Sequence, residues 1–315
     1  MRLTCGVRIV EELNAKPAPA NGSEKKRSGP IHHPPMRETA FDRPRDFLGN
    51  RFVYAVISPR AHGLSLGVNM NPDRHCDFDC VYCEVDRRTP PHELVLDVDA
   101  MGDELRRTLA FVHQGRLRER PIYQTLPDEL LQLRHVALSG DGEPTLAPNF
   151  TEAVQTVVRV RALGGYPFFK IVLLTNASGL DRPHVQEGLK HLTKSDEIWT
   201  KLDGGTQAFL NKVNRGDVSL EKVLKNILSL ARHRPVVVQS LFPAINGEEP
   251  PVEEIEQYAK RLKELKADGA QISSVQIYSA ARPVTHAECG HLPLRALSQI
   301  AQTVRQITGL KAEVF

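Results

Sequence analysis

From about Arg51 onward, short β-like runs alternate with longer amphipathic segments, and this alternation constrains the fold more than any other feature. Six runs predict strands: LSLGVNM (64–70), HVALSG (135–140), KIVLLTN (170–176), EIWTKLD (197–203), PVVVQSLF (235–242) and SVQIYSA (274–280). Between them, apolar residues recur at helical spacing, most clearly after Ser219. Strands that alternate with helices form parallel sheets with right-handed crossovers. We therefore predict an α/β fold, a partial (β/α)6 TIM-like barrel.

Similar apolar faces predict helices in 150–163, 252–265 and 294–307, and prolines stand where helices can begin, at Pro148, Pro183, Pro251 and Pro293. Polar residues gather at one end of the predicted strands. The cysteines follow the first strand, SGDGEP the second, TN the third, KLDGG the fourth and QS the fifth. Barrels of this type carry their catalytic groups at the C-terminal ends of strands. We expect the functional site at that end.

Composition is that of a globular protein, with 41% hydrophobic and 25% charged residues among 315. No apolar run is long enough to span a bilayer, and the N-terminal MRLTCGVRIVEELNAK does not resemble a secretory signal. We expect a cytoplasmic protein, a monomer without a membrane partner. Thiols stay reduced in the cytosol, so clustered cysteines there act as ligands or catalysts rather than as disulfides.

Residues 1–50 differ in amino-acid composition from the rest of the chain. Pro, Gly, Ser and charges dominate residues 14–45, which predicts a flexible N-terminal tail at 1–50 before a domain at 51–315. The tail holds nine basic and six acidic residues, so it carries the net charge of +3 and the remainder is neutral. A neutral domain lacks the excess of basic residues that many nucleic-acid binders carry, although a local basic patch is kept as an alternative.

Three of the five cysteines lie close together as C-x3-C-x2-C, at Cys76, Cys80 and Cys83. Thiolate ligands suit zinc or an iron–sulfur cluster. Structural zinc needs a fourth ligand, and His75 is a poor candidate because adjacent residues rarely point at one metal. A cluster held by three cysteines leaves one iron open for a substrate or cofactor. A zinc-binding α/β protein stays as an alternative.

With the aromatic Tyr82 directly before the last cysteine, this trio resembles the three-cysteine signature of radical S-adenosylmethionine (radical SAM) enzymes. The resemblance implies a [4Fe–4S] cluster on Cys76, Cys80 and Cys83, with S-adenosyl-L-methionine (SAM) on the open iron, in a partial barrel of the radical SAM type. In that family an electron from the cluster cleaves SAM, and the resulting 5′-deoxyadenosyl radical abstracts a hydrogen atom from the substrate. Tyr82 becomes a candidate contact to the nucleoside.

The run Ser139-Gly140-Asp141-Gly142-Glu143-Pro144 ends the second predicted strand and resembles the family's Gly-Gly-Glu motif, with Asp141 as a departure between the glycines. Glycines let the backbone approach a ligand closely, and carboxylate or carbonyl oxygens accept hydrogen bonds from an ammonium group. The resemblance implies cofactor-binding roles at the methionine end of SAM for Ser139, Gly140, Gly142 and Glu143.

Other polar residues at strand ends are candidates with simpler alternatives. Asn176 is a candidate SAM contact and Asp203 a candidate acceptor from the ribose hydroxyls, whereas both also suit strand-end caps. Lys201 has three open roles: a Schiff base, exposure to solvent, or pairing with an acid. Further candidates for ligand contacts or for ordinary surface roles are Thr175, Arg215, Gln239, Ser240, Arg282 and Cys289.

Longer matches, among them LSGDGEPTLAPNF and LDGGTQAFLNKVNRG, resemble the Fe–S oxidoreductases related to tRNA wyosine synthesis over about 51–315. Upstream of the trio there is only Cys5, whereas the archaeal wyosine enzymes use an additional cysteine set there. We expect an oxidoreductase-like radical SAM enzyme whose small-molecule, peptide or RNA substrate is unidentified, with an external flavodoxin or ferredoxin as electron donor. A wyosine-type tRNA-modifying enzyme and a non-catalytic Fe–S/SAM-binding regulator remain alternatives.

Overall fold

The computed structural model describes residues 40–41, 47–163 and 165–315, so most of the predicted tail lies outside the described residues. The helices and strands of the described part are β1 (Val53–Ser58), β2 (Gly63–Asn69), α1 (Val98–His113), α2 (Asp128–Leu131), β3 (Leu133–Ser139), α3 (Phe150–Leu163), β4 (Lys170–Thr175), α4 (Pro183–Leu189), β5 (Glu197–Lys201), α5 (Gln207–Val213), α6 (Leu220–Ala231), β6 (Val236–Leu241), β7 (Ala244–Ile245), α7 (Val252–Ala267), β8 (Ile272–Tyr278), β9 (Cys289–Gly290), α8 (Leu294–Thr308) and β10 (Ala312–Val314).

Eight of these strands form one sheet in the order β1-β2-β3-β4-β5-β6-β8-β10. The six predicted strands are β2, β3, β4, β5, β6 and β8, and they pair parallel with one another. The prediction missed the two outer strands, because β1 pairs antiparallel to β2 and β10 is a short parallel addition to β8. The mostly parallel sheet with crossover helices confirms the predicted α/β class.

The two edges of this sheet meet through side chains. Arg60, in the turn between β1 and β2, places its guanidinium carbon 4.2 Å from the centroid of the Tyr278 ring at the end of β8. The ring of His62 lies 5.8 Å from that of Phe315, which follows β10. The sheet therefore curls into a partial barrel, and we call this line of contact the seam.

Sequence patterns account for the helices that cover the barrel. In α6, the Ser219 hydroxyl accepts a hydrogen bond from the Lys222 N–H over 3.1 Å, which satisfies a free donor at the helix N-terminus. The apolar residues of α6 recur every three or four positions, and they are buried. Pro183 is the first residue of α4, and Pro251 and Pro293 directly precede α7 and α8, as predicted.

The apolar residues separate into two layers. The large core lies between the outer face of the sheet and the helices, and it includes Phe47, which comes before the predicted boundary at residue 51. A small second cluster lies inside the barrel, where Val172, Trp199 and Val237 pack with Leu174. The cavity inside the barrel is lined by both apolar and polar residues. Among the described residues, no helix is long and apolar enough to cross a bilayer.

Candidate functional site

A cavity of about 620 Å³ occupies the inside of the barrel. Most of the predicted site residues line it: Cys76, Cys80, Cys83, Tyr82, Ser139, Gly140, Gly142, Glu143 and Asn176. Residues that follow three separate strands, β2, β3 and β4, therefore meet at the C-terminal ends of the strands, as expected for this type of barrel. Asp203 does not line the cavity, but it contacts Tyr82, which does.

The cysteine loop, residues 70–85 after β2, is attached to the C-terminal end of α5. The N–H of Asp79 donates to the carbonyl of Asn214 over 2.9 Å, and the N–H of Val81 donates to the carbonyl of Val213 over 2.8 Å. Phe78 and Val81 are buried in the core. Because the apolar residues between the cysteines point into the core, the cysteines themselves are left to face the cavity.

The three thiols do not converge on one point. Among the described residues, no group of three or more His, Cys, Asp or Glu side chains is placed to hold a single metal ion. A cluster has a different requirement, since each cysteine binds a different iron atom. His75, considered above as a fourth ligand, is exposed and has no place in such a group. Within the described residues, these side chains do not form the closed four-ligand site that structural zinc requires.

Burial makes Cys76 and Cys80 poor acids when no metal is bound. Burial and the nearby Glu143 carboxylate raise the pKa of Cys76 to about 12. Burial and the Asp203 carboxylate raise the pKa of Cys80 to about 11. Both would be neutral thiols at neutral pH, and the positive charge of bound iron is what would convert them into thiolates.

Asn214 is a site residue that the sequence prediction did not include. Its side-chain amide nitrogen lies 3.2 Å from Cys80 Sγ, 3.0 Å from the Tyr82 hydroxyl oxygen and 2.9 Å from Asp203 Oδ2. Hydrogen bonds to ligand sulfurs tune an iron–sulfur centre. Only its position directly after α5, in the motif LDGGTQAFLNKVNRG, hinted at such a role.

Gly142 lets the Ser139–Pro144 turn pack directly on the cysteine loop. A Cβ atom at this position would lie 1.8 Å from the carbonyl oxygen of His75, the residue before the first cysteine. The N–H of Glu143 donates to the same oxygen over 3.0 Å. At Gly140, a Cβ atom would lie 2.6 Å from Asn69 Oδ1. These two glycines are therefore needed for contact within the protein, whether or not they also approach a ligand.

The Glu143 carboxylate accepts four hydrogen bonds from the chain itself. Oε1 accepts hydrogen bonds from the Thr145 N–H (3.0 Å), the Thr145 hydroxyl (2.6 Å) and the Thr175 hydroxyl, and Oε2 accepts one from the Asn176 N–H (2.6 Å). Burial raises the pKa of this carboxyl, although the four hydrogen bonds act in the opposite direction. Glu143 ties the end of β3 to the end of β4.

Asp203 is a second carboxylate that the chain itself holds. Oδ1 accepts from the Leu241 N–H (2.8 Å) and pairs with Lys201 Nζ (2.9 Å), while Oδ2 accepts from the Tyr82 hydroxyl and from Asn214. Burial lowers the pKa of Lys201, but Asp203 and Tyr278 outweigh it and the net shift is upward. Of the three roles considered for Lys201, pairing with an acid is therefore the one that the structure supports.

The remaining candidates have simpler contacts. Asn176 donates to Asp77 Oδ1 over 2.8 Å and fixes the first gap of the cysteine motif, while Ser139 bonds to the Tyr54 hydroxyl over 2.8 Å. Arg282 pairs with Glu84 at 3.1 Å, which is the salt-bridge alternative. Arg215 pairs with Glu288, Gln239 donates to Gln276, and Ser240 donates to the Leu202 carbonyl. Cys289 is a half-buried free thiol in β9, and Cys5 lies outside the described residues.

Beyond the cysteines, the cavity reaches toward the seam. His135 shares a hydrogen bond of 2.8 Å with the Ser65 hydroxyl, and its ring lies edge-on to Trp199 with 5.3 Å between centroids. Burial lowers the pKa of His135 to about 4, so this imidazole is neutral near pH 7. Arg60 and Tyr278 line the same part of the cavity.

Comparison with known proteins gives consistent matches. The family model described as the Radical SAM superfamily matches residues 70–262. A UPF0026 protein of Helicobacter pylori (strain J99) is 25% identical over 237 residues, which are 72% of this chain and 68% of that relative.

Two solved structures show the same fold. Streptococcus suis SuiB bound to SAM has a TM-score of 0.53 at 14% identity, covering 78% of this chain and 48% of its own. TYW1 with a lysine-pyruvate adduct bound has a TM-score of 0.53 at 14% identity, covering 83% of this chain and 86% of its own. The chain thus spans about half of SuiB and most of that TYW1 chain.

The superfamily model covers more than half of the chain, and its span contains the cysteine loop, the Gly-Gly-Glu-like turn and Asp203. The solved neighbours share the partial barrel in which these features lie. The resemblance predicted from the cysteine spacing is confirmed, and the chain belongs to the radical SAM superfamily of enzymes.

Proposed function

We propose that Cys76, Cys80 and Cys83 hold a [4Fe–4S] cluster and that the barrel cavity holds SAM together with the substrate. The bound cluster would supply the electron for reductive cleavage of SAM, and with it the radical that takes a hydrogen atom from the substrate. The observation that carries this proposal is the arrangement of the thiols. Three cysteines from one loop line a single cavity without converging on one ion.

The chain's own residues would position SAM at the cavity wall formed by β3 and β4. The backbone of Ser139, Gly140 and Gly142 lines the cavity beside the cysteines and offers carbonyl oxygens to an ammonium group. Glu143 stabilises this wall, because its carboxylate accepts hydrogen bonds from Thr145, Thr175 and Asn176. We therefore assign Glu143 a positioning role at the methionine end of SAM.

Tyr82 and Asp203 would act as a pair on the opposite side. The Tyr82 hydroxyl donates to Asp203, and the Tyr82 ring lies 4.8 Å from Lys201 Nζ, so the ring is held in one orientation facing the cavity. An aromatic ring in this position offers a flat surface for the nucleoside of SAM. Asp203 supports Tyr82, and we propose that it fixes the ring rather than contacting the ribose hydroxyls itself.

Electrons would come from an external flavodoxin or ferredoxin, and the reducing cytosol would keep the cysteines available as ligands. The cysteine loop is exposed at His75 and Asp79, which do not line the cavity, and these residues leave one side of the loop accessible to a donor protein. Because the reaction begins with one-electron reduction of SAM, we place the chain among the oxidoreductase-like members of the superfamily.

The test is anaerobic reconstitution with iron and sulfide, followed by reduction with dithionite in the presence of SAM. We expect about four iron atoms per chain, broad absorption near about 400 nm and release of 5′-deoxyadenosine. Cys80→Ser should lose all three, whereas Cys289→Ser, which alters a cysteine outside the trio, should keep them. Stoichiometric zinc without iron uptake, or a loaded cluster that never cleaves SAM, would contradict the proposal.

A further inference from the structure

Arg60 stands out among the basic residues that line the cavity. It lies in the short helical turn Pro59–Ala61, which is held by the Ser58 hydroxyl accepting a hydrogen bond from the Ala61 N–H over 3.3 Å. Its guanidinium carbon is 4.2 Å from the Tyr278 ring centroid. This contact fixes the guanidinium at the cavity wall, since the cation is held by the face of the ring.

The other basic residues of the cavity wall have acidic partners. Lys201 pairs with Asp203 at 2.9 Å, Arg282 with Glu84 at 3.1 Å and Arg87 with Asp79 at 3.3 Å. Across residues 40–41, 47–163 and 165–315, the Arg60 side chain has neither an ion pair nor a hydrogen bond, and its Nε is buried without a partner. A buried donor without an acceptor is destabilising, and more so when it is charged.

The groups that the structure places near Arg60, the Tyr278 ring and the His135 imidazole, are uncharged. His135 is neutral and bonded to Ser65, and the inner apolar cluster around Trp199 lies beside it. The Tyr278 ring that contacts Arg60 also lies 5.0 Å from Lys201 Nζ, and Lys201 in turn contacts the Tyr82 ring of the cysteine loop. A ligand held by Arg60 would therefore sit next to the part of the cavity assigned to SAM.

We propose that Arg60 binds a carboxylate group of the substrate, so that the substrate is an organic acid anchored at the seam. This inference rests on the proposed function for the cavity's role as a substrate chamber. A guanidinium presents two parallel N–H donors to a planar carboxylate. Arg60 is a single cation that has no acidic partner among the described residues, which matches the single charge of a carboxylate better than the double charge of a phosphate monoester.

The chain carries its own reporter for a binding test. Trp199 is its one tryptophan and lines the cavity. We would titrate the full chain, before and after cluster reconstitution, with 3-phenylpropionate, its neutral amide 3-phenylpropionamide, and phenyl phosphate, and follow Trp199 fluorescence. Arg60→Met keeps the length of the side chain without its charge, Arg60→Lys keeps the charge, and Arg282→Met is the matched control because Arg282 lines the same cavity but has Glu84 as a partner.

We expect wild type and Arg282→Met to bind phenylpropionate, Arg60→Lys to retain part of the affinity, and Arg60→Met to lose about tenfold or more, the scale of one charge-assisted hydrogen bond. The amide should bind weakly to all four proteins. Equal binding of acid and amide, equal binding by wild type and Arg60→Met, or no saturable change with wild type would overturn the inference. Tighter binding of phenyl phosphate would overturn the choice of a carboxylate.

SAM cleavage without substrate separates this inference from the proposed function. Arg60→Met should bind SAM and release 5′-deoxyadenosine as wild type does, whereas an equal loss of SAM binding would mean that Arg60 serves the cofactor and would overturn the inference. If wild type binds the acid through Arg60 but never cleaves SAM, the anion site stands and the radical chemistry falls.

Discussion

The side-chain amide of Asn214 donates a hydrogen bond to the Cys80 sulfur over 3.2 Å, although 134 residues separate the two along the chain. The same nitrogen contacts the Tyr82 hydroxyl and the Asp203 carboxylate. One residue at the end of α5 therefore touches a proposed cluster ligand, the proposed nucleoside contact and the carboxylate that orients it. Its substitution should be visible in the electronic properties of the cluster.

Asn214→Ala should lower the reduction potential of the reconstituted cluster. Loss of a donor to a ligand sulfur destabilises the reduced state, which carries the extra negative charge, and a loss of about 1 kcal/mol corresponds to tens of millivolts for one electron. Potentiometric titration followed by electron paramagnetic resonance measures this shift. Asn211→Ala, which changes an exposed residue of the same helix, is the control. An unchanged potential at equal iron content would argue against a role for Asn214.

Gly142→Ala should destabilise the fold and prevent cluster uptake. The added methyl group would overlap the His75 carbonyl, which is backbone and cannot rotate away. Overpacking of this kind costs about 1–3 kcal/mol, and here the strain falls on the residue before Cys76. Chemical denaturation and iron content measure the two effects.

The matched control for Gly142 is Gly290→Ala. There the nearest atom to an added Cβ lies at 3.6 Å, an ordinary contact distance. We expect this control to stay within about 0.5 kcal/mol of wild type and to load iron normally. If Gly142→Ala behaves like Gly290→Ala, the two loops are less tightly packed than described.

Asp203→Asn should lower the free energy of unfolding by about 3–5 kcal/mol, because it leaves the buried Lys201 ammonium without its counter-charge. The control is Asp103→Asn, which removes an exposed ion pair to Arg106 and should cost under about 1 kcal/mol. Urea unfolding measures both. Equal small costs for the two variants would show that Lys201 finds another partner.

His135 should make the protein sensitive to mild acid. Its pKa is lowered to about 4 in the folded state, whereas an unfolded chain has the ordinary value near 6.5. Between these values the unfolded state binds more protons, so stability falls as the pH falls from 6.5 toward 4. The expected loss between pH 7 and pH 5 is about 2 kcal/mol from this residue.

His135→Gln removes this proton binding and should reduce the loss of stability between pH 7 and pH 5 by that amount. His233→Gln, which changes an exposed histidine, should leave the loss as in wild type. The urea concentrations at the midpoint of unfolding, measured at pH 7 and at pH 5, test this prediction. A pH dependence that persists unchanged in His135→Gln would assign it to other groups.

The sequence was most informative where a local pattern carries the structure. Apolar runs between helical segments predicted six parallel strands, and the cysteine spacing predicted the superfamily. The antiparallel β1 was missed because a short turn and no crossover helix joins it to β2, and β10 was missed because it has only three residues. Glu143 and Asp203 were predicted as site residues, but their hydrogen bonds from neighbouring donors depend on contacts between distant segments.

Asn214 and Arg60 are residues whose roles the sequence did not predict. Asn214 touches Cys80 only because the cysteine loop lies along the end of α5, and no local motif announces that placement. In the sequence, Arg60 resembles an ordinary surface residue in a turn. The proposed binding of an anion depends on its lack of an acidic partner in the folded state, and the sequence does not show this. Such properties arise from tertiary packing, whereas motif spacing is a property of the chain alone.

The seam gives the barrel walls of unequal stiffness. On the cysteine side, β2, β3 and β4 are joined by continuous backbone ladders, and Glu143 adds a further tie. Across the seam, the contacts are those of Arg60 with Tyr278 and of His62 with Phe315, which are side-chain contacts of modest strength. Close to the seam, however, the segment after β8 also holds the cysteine loop, because the N–H of Thr285 donates to the Cys83 carbonyl over 3.1 Å. Any widening of the barrel at the seam is therefore coupled to the position of Cys83, the last of the three cysteines.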